Sequence, residues 1–233
     1  MTTKSATETI ILSIGGSIIV PDTGFDPVFL GQFKDLILAR VAQGQRFVLV
    51  TGGGATARHY QRVAETFTDL RKDDLDWLGI ETTKLNAYLV RLMFNKYAYE
   101  EVVTNPQTGL DSDKPIMVAA GWKPGCSTDK DAVLHAEARG AKQIFNLTNT
   151  DYVYDSDPRS NPAAEKIETT SWDAFRENIV GHSWVPGKNA PFDPMASELA
   201  QKLGLRVSIL CGTNLETVKL ALEGKPFPGT VIE

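Results

Sequence analysis

Glycines and a basic residue in the stretch "VLVTGGGATARHYQ" (Val48–Gln61) have the types and spacing that phosphate chemistry uses. Three glycines, Gly52, Gly53 and Gly54, stand between an apolar run and a segment of helical spacing, with Arg58 about one turn into it. Glycine is costly inside regular structure, so three in a row imply an unusual backbone path or something large approaching the main chain. A glycine turn that leads into a helix presents unpaired N–H groups at the positive end of the helix dipole, which suits phosphate oxygens. Arg58 can add a charge-assisted bond to the same anion. The plainer alternative, a tight strand-to-helix turn followed by a solvated arginine, accounts for the same letters. A second glycine turn, "IGGS" (Ile14–Ser17), follows another apolar run. Neither the dinucleotide spacing GxGxxG nor the P-loop spacing GxxxxGK[ST] is present, so any phosphate is held by a different arrangement.

These residues need elements to position them. Short apolar runs at Ile10–Ile14, Phe47–Thr51, Ile116–Ala119, Gln143–Leu147 and Arg206–Leu210 are bounded by glycine or polar turns, as strands buried on both faces are. Between them, "DPVFLGQFKDLILARVAQG", "ATARHYQRVAETF", "ETTKLNAYLVRLMFNKYAYE", "KDAVLHAEARG" and "DPMASELAQKLG" space apolar residues three and four apart, which predicts helices. The alternation predicts an α/β fold with a largely parallel sheet and helices on both sides, a three-layer αβα sandwich. Both glycine turns then fall at the carboxyl edge of the sheet, where open α/β sheets bind ligands. Residues Val153–Lys188, rich in Pro, Asp, Ser and Asn, read as one long irregular region.

Composition narrows the partners. With 233 residues, 42% of them hydrophobic, the chain suits one sizeable α/β domain over 9–233 behind a flexible N-terminus at 1–8. The formal charge of −5, with acids and bases mixed, argues against nucleic acid as the main partner. Cys126 and Cys211 lie far apart without metal-type spacing, which fits a reducing cytoplasm. "IILSIGGSIIV" is too short and too glycine-broken to span a bilayer, so no membrane partner is expected. His135 and His182 have no partner at zinc-ligand spacing, and His59 reads as a surface or interface residue.

Taken in order, "SIGGSII", "VTGGGATARHY", "DWLGIETTKLNAYLV", "PGCSTDKDAVLHAEA", "TNTDYVYDSDP", "FDPMASELAQKLG" and the terminal "GTVIE" resemble the amino acid kinase superfamily, and within it the archaeal-type UMP kinases, from about residue 9 to residue 233. The resemblance implies the amino acid kinase fold, transfer of the ATP γ-phosphoryl group to UMP, Mg²⁺ with ATP, and a homo-oligomer, a hexamer built from dimers. It implies an acceptor-binding part to about residue 140 and an ATP-binding part from about 141. By the same resemblance Gly52, Gly53, Gly54 and Arg58 hold the UMP phosphate. Asp76 accepts from the ribose hydroxyls, with Gly79, Thr83 and Asn86 lining the nucleoside pocket. Ser127 and Thr128 meet the acceptor phosphate. Thr148, Asn149, Asp151, Tyr154, Asp157 and Pro158 match the motif that borders ATP, and Asp193, with Gly15 and Gly16, stands near the transferred phosphate. Read without the family, Asp76, Ser127 and Asp193 are helix caps, Asp193 with Pro194 at the first helical position.

Two positions depart from the family pattern. Many relatives carry a lysine in the first strand just before the glycine turn, and this chain has Ser13; Lys123 and Lys188 are candidates to supply the cation from another loop. Tyr152 stands where the family's DGVY motif has glycine. If that position needs φ > 0 the tyrosine is strained; in the β region it is tolerated and its ring turns toward the donor site or a neighbouring loop.

Overall fold

A computed structural model describes residues 9–67, 69–108, 112–183 and 190–233. The 1–8 segment, Lys188 and Trp184 fall outside the described residues. The apolar runs form a seven-stranded sheet. Its first three strands are β1 (Thr9–Ile14), β2 (Arg46–Thr51) and β3 (Ile116–Ala119), followed by β4 (Gln143–Thr148). After the small hairpin of β5 (Val153–Tyr154) and β6 (Lys166–Ile167) come β7 (Thr169–Thr170), β8 (Arg206–Cys211) and β9 (Thr230–Ile232). The order is β3-β2-β1-β4-β8-β9-β7, parallel from β3 to β8, with β9 antiparallel to β8. The α-helices are α1 (Gly16–Ile19), α2 (Pro27–Ala42), α3 (Gly54–Ala64), α4 (Lys72–Phe94), α5 (Thr128–Arg139), α6 (Trp172–Phe175), α7 (Pro194–Lys202) and α8 (Leu215–Leu222), with a 3-10 turn at Asn95–Tyr97 and a π turn at Arg176–Val180.

Strand alternation explains the layers. Leu12, Leu49, Phe145 and Leu210 point to one face and pack against α2, α4 and α8 through Ile37, Val90 and Val218. Ile11, Val48, Ile144 and Ile209 point to the other and pack against α5 and α7 through Ala132, Val133 and Ala200. With both faces covered, the strands bury nearly every side chain, and each fully buried Leu, Ile or Phe contributes about 1.5–3 kcal/mol. This is the three-layer αβα sandwich with a mostly parallel sheet expected from the sequence.

The expected elements differ in two places. α4 begins at Lys72, nine residues before the periodic run at Glu81, because Asp73 and Asp74 favour a helix N-terminus and the Asp74 carboxylate accepts the Arg71 N–H at 3.2 Å. Asp76 therefore lies inside the helix, and its reading as an N-cap is corrected. The region 153–188 is not one irregular loop. Val153 N–H donates to Thr230 Oγ1 at 2.9 Å, and Trp172 and Phe175 reach the core, so this segment carries β5, β6, β7 and α6.

Candidate active site

The two glycine turns lie side by side because β1 and β2 are parallel neighbours, with Ile14 opposite Thr51. Gly52 N–H donates to Ile14 O at 2.9 Å, and Ala55 N–H donates to Val20 O at 3.0 Å. A Cβ on Gly52 would stand 2.5 Å from Gly16 N, and one on Gly16 would strike Gly54 N. Gly54 adopts φ +66°. The glycines are thus required by the contact of one turn with the other. Asn86, almost wholly buried, holds this platform from beneath, donating through Nδ2 to Gly52 O at 2.8 Å and Gly53 O at 3.1 Å.

Above the platform opens a cleft of about 560 Å³. Gly53 and Gly54 form its floor, and α3 contributes Arg58 and Gln61. Asp76, Gly79 and Thr83 of α4 form one wall, Gly125 to Thr128 the facing one, and Asp193 with Met195 the end. Asp76 Oδ2 accepts the Gly125 N–H at 3.0 Å, joining the two walls. Thr83 Oγ1 accepts the Gly121 N–H at 2.8 Å and donates to Ile80 O at 2.7 Å. Ser127 caps α5, accepting the Lys130 N–H at 3.2 Å, and Asp193 caps α7, accepting the Ala196 N–H at 2.8 Å with Pro194 in the first turn. Both caps also line the cleft, so cap and cleft positions coincide.

Not every expected site residue reaches this cleft. Gly15, Gly16 and Gly52 belong to the platform, and Asn86 supports it without lining the cavity. Thr148, Asn149, Asp151, Tyr154, Asp157 and Pro158 occupy the segment that leaves β4 and enters β5, outside the cleft. There Thr148 Oγ1 accepts the Thr150 N–H at 3.2 Å, and Asp157 pairs with Arg159 at 2.8 Å. Sequence reasoning passed over Gln61, although it lies three residues after Arg58 on the same helical face, and Gly121, which follows β3 at the ligand-bearing edge of the sheet.

The charge distribution is uneven. Among the described residues lining the cleft, Arg58 is the one cation, and it pairs with exposed Asp22 at 2.9 Å. The Arg58 hydrogen bond holds the Asp22 carboxyl below the ordinary carboxylate range. Behind the cleft end lies Asp129, whose Oδ2 accepts the Asp193 N–H at 3.0 Å. Burial, reinforced by the charge of Asp193, pushes Asp129 up to about 7. Asp129 is a third residue the sequence concealed, because "STD" before a helix reads as a cap.

A family model for the amino acid kinase family matches residues 8–211. The chain belongs to the amino acid kinase family. Uridylate kinase of Methanospirillum hungatei is 34% identical over 226 residues, covering 96% of this chain and 94% of that protein. Uridylate kinase of Pyrococcus abyssi is also 34% identical, covering 96% of this chain and 99% of its own. The crystal structure of uridylate kinase from Archaeoglobus fulgidus superposes with a TM-score of 0.81 at 29% identity, covering 96% of this chain and 99% of that one.

Both departures from the family pattern now have a location. Ser13 is buried at 3% exposure in β1 and does not line the cleft, so the first strand brings no charge to it. Lys123 does not line the cleft, and its Nζ lies over the Trp122 ring, 3.9 Å from the centroid. Tyr152 is free of the strained conformation, since Asn95 is the one non-glycine residue with positive φ among the described residues. Its ring lies beneath Lys166 Nζ, 4.7 Å from the centroid, and borders a separate groove with Phe227.

Proposed function

We propose that this member of the amino acid kinase family is a uridylate kinase, which moves the γ-phosphoryl group of ATP to UMP and yields UDP and ADP. The observation that carries the reading is the polarity of the cleft. Backbone amides of a glycine platform and Arg58 occupy one part of it, and the Asp76 carboxylate faces the other. An anion and a sugar diol need that pair of environments, because phosphate oxygens accept hydrogen bonds and ribose hydroxyls donate them. The names and near full-length coverage of the relatives support the same acceptor.

In this reading an oxygen of the UMP phosphate attacks the γ-phosphorus while the bond to the β–γ bridging oxygen breaks toward ADP. Such transfer depends on in-line positioning and charge neutralisation. UMP occupies the cleft over Gly53, Gly54 and Arg58, with Thr128 at its phosphate. ATP lies along the segment from Thr148 to Pro158, its γ-phosphate reaching Gly15, Gly16 and Asp193. Mg²⁺ accompanies ATP. Among the described residues no three His, Cys, Asp or Glu side chains gather as a metal cage, and the Asp193 carboxylate at the cleft end suits a cation that keeps mostly phosphate and water ligands. The division into an acceptor part to about residue 140 and a donor part from about 141 belongs to the same proposal.

The chain acts as an oligomer in this proposal, a hexamer by family resemblance. Trp77, Leu85, Tyr88 and Leu92 form an exposed apolar stripe along α4, which supports self-association. Light scattering on the purified protein tests it, and a monomer at all concentrations would reject it. No helix among the described residues is long and apolar enough to cross a membrane, and the proposed compartment is the cytoplasm.

A coupled assay of ADP release with UMP, CMP, AMP, GMP and small carboxylated or phosphorylated acceptors tests the activity. Preference for UMP is expected. Turnover of a non-nucleotide acceptor alone would overturn the reading. Mg²⁺-dependent nucleotide binding without turnover would favour a binding protein on the kinase fold, a second reading motivated by the hydroxyl of Ser13 where the resemblance calls for a lysine.

A further inference from the structure

The wall of the cleft formed by Gly121–Cys126 contains no strand or helix among its residues, yet it supplies Gly121, Gly125 and Cys126 to the cavity and leads directly into Ser127 and Thr128. Something outside the segment must hold its shape. Asp131, on the first turn of α5, is fully buried and uses both carboxylate oxygens on this segment. Oδ2 accepts the Trp122 N–H at 3.1 Å, and Oδ1 accepts the Cys126 S–H at 3.0 Å. One carboxylate therefore ties together the two ends of the segment. A buried carboxylate is expensive to keep and is retained where its hydrogen bonds enforce a specific geometry. Between the two ties, Gly125 at φ +74° turns its N–H toward Asp76.

We propose that Asp131 is a positioning residue for the acceptor: by clamping Trp122 and Cys126 it sets the height of the wall, and so the presentation of Gly125, Ser127 and Thr128 to the acceptor nucleotide. It acts through these residues and does not line the cleft itself. This rests on the reading of the cleft as the UMP site. The clamp is local to one wall, so its loss acts on the acceptor and leaves the donor segment after β4 untouched.

The test compares wild type, Asp131→Ala and Asp131→Asn in the coupled assay and by hydrogen exchange. Asp131→Ala is expected to raise the UMP KM about tenfold, while the ATP KM and kcat stay within about twofold. Asp131→Asn, whose carboxamide oxygen still accepts the Trp122 N–H and whose amide can face the sulfur, is expected to recover most of the loss. A merely structural role would lower the melting temperature and move both substrates together, and that result would overturn the proposal. Should the alanine chain not fold, Asp131→Ser, too short to span both donors, carries the same expectation. Backbone amides of 121–127 should exchange faster in Asp131→Ala while those of Val133–Arg139 keep their protection; unchanged exchange in the loop also overturns the proposal. If wild type phosphorylates no nucleoside monophosphate, the reading of the cleft fails, and the exchange measurement alone decides whether Asp131 clamps the wall.

Discussion

Replacing Asp129 with asparagine is expected to stabilise the protein by an amount that grows as pH rises from about 4 to 7. The carboxyl lies behind Asp193, and burial lifts it from 3.8 to about 7. In the unfolded chain it returns to its ordinary value, so the folded protein binds this proton more tightly between those two pH values. Its contribution to stability is complete below about pH 4 and is lost as pH rises through 7. At pH 8 the wild type must fold around an ionised carboxylate. Asparagine keeps an acceptor for the Asp193 N–H without the charge. A displacement of about three pKa units corresponds to ~4 kcal/mol. Asp129 retains partial exposure, which leaves about half of that, ~2 kcal/mol, as the expected gain at pH 8. Urea unfolding of both proteins at pH 5 and pH 8 measures it, since titrating groups that do not interact with Asp129 are common to the two chains and cancel in the difference. Equal stability of the two at pH 8, or a deficit for the variant there, would refute the reasoning.

Four further outcomes are expected. Arg58→Ala should raise the UMP KM by about tenfold or more, the scale of a lost charge-assisted contact, and an unchanged KM would remove Arg58 from phosphate binding. Asp76→Asn should raise the UMP KM by about tenfold with the ATP KM and melting temperature unchanged, because the carboxamide keeps one acceptor for Gly125 N–H but offers the ribose a poorer one; equal losses for both substrates would contradict this. His135 is fully buried with neither ring nitrogen bonded, and burial, with the nearby charge of Arg139, depresses it to about 3, so its share of stability is present above pH 6.5 and is lost as pH falls toward 3. His135→Leu should therefore shift acid unfolding, followed by circular dichroism, to lower pH. Tyr152→Gly should leave the affinities for ATP and GTP unchanged in isothermal titration, because the ring faces Lys166 and the groove beside Phe227.

The strands were legible because burial on both faces writes itself into the chain as unbroken apolar runs, and the glycine turns were legible because few other residues tolerate such backbone contact. What escaped was organised by long-range partners. The start of α4 lay hidden behind the acidic, glycine-interrupted "DDLDWLGI", a helix whose Gly79 faces the cleft and gives the periodic pattern nothing to count. β5, β6 and β7 are two residues each and mostly polar, and they exist because Val153 and Thr230 find one another across 77 positions. Asp129 and Asp131 look like first-turn acids of a helix. That one bonds the Asp193 backbone and the other clamps a loop follows from tertiary packing, which no spacing in "STDKD" encodes. Asn86 was assigned by resemblance to the nucleoside pocket, and it bears on the cleft only through the carbonyls it holds.

The interlocked glycine turns restrict how the enzyme can move. Gly16, Gly52 and Gly54 meet main chain to main chain, with no side chain between them to rotate or yield. Such a contact behaves as a single rigid part, so neither turn can retreat from an arriving phosphate without carrying β1 and β2 along. On the opposite side the Gly121–Cys126 wall and the cap of α7 are held instead by side chains, through hydrogen bonds to Asp131 and Asp129. The platform works as an anvil, and the parts that face it hang on two carboxylates of α5.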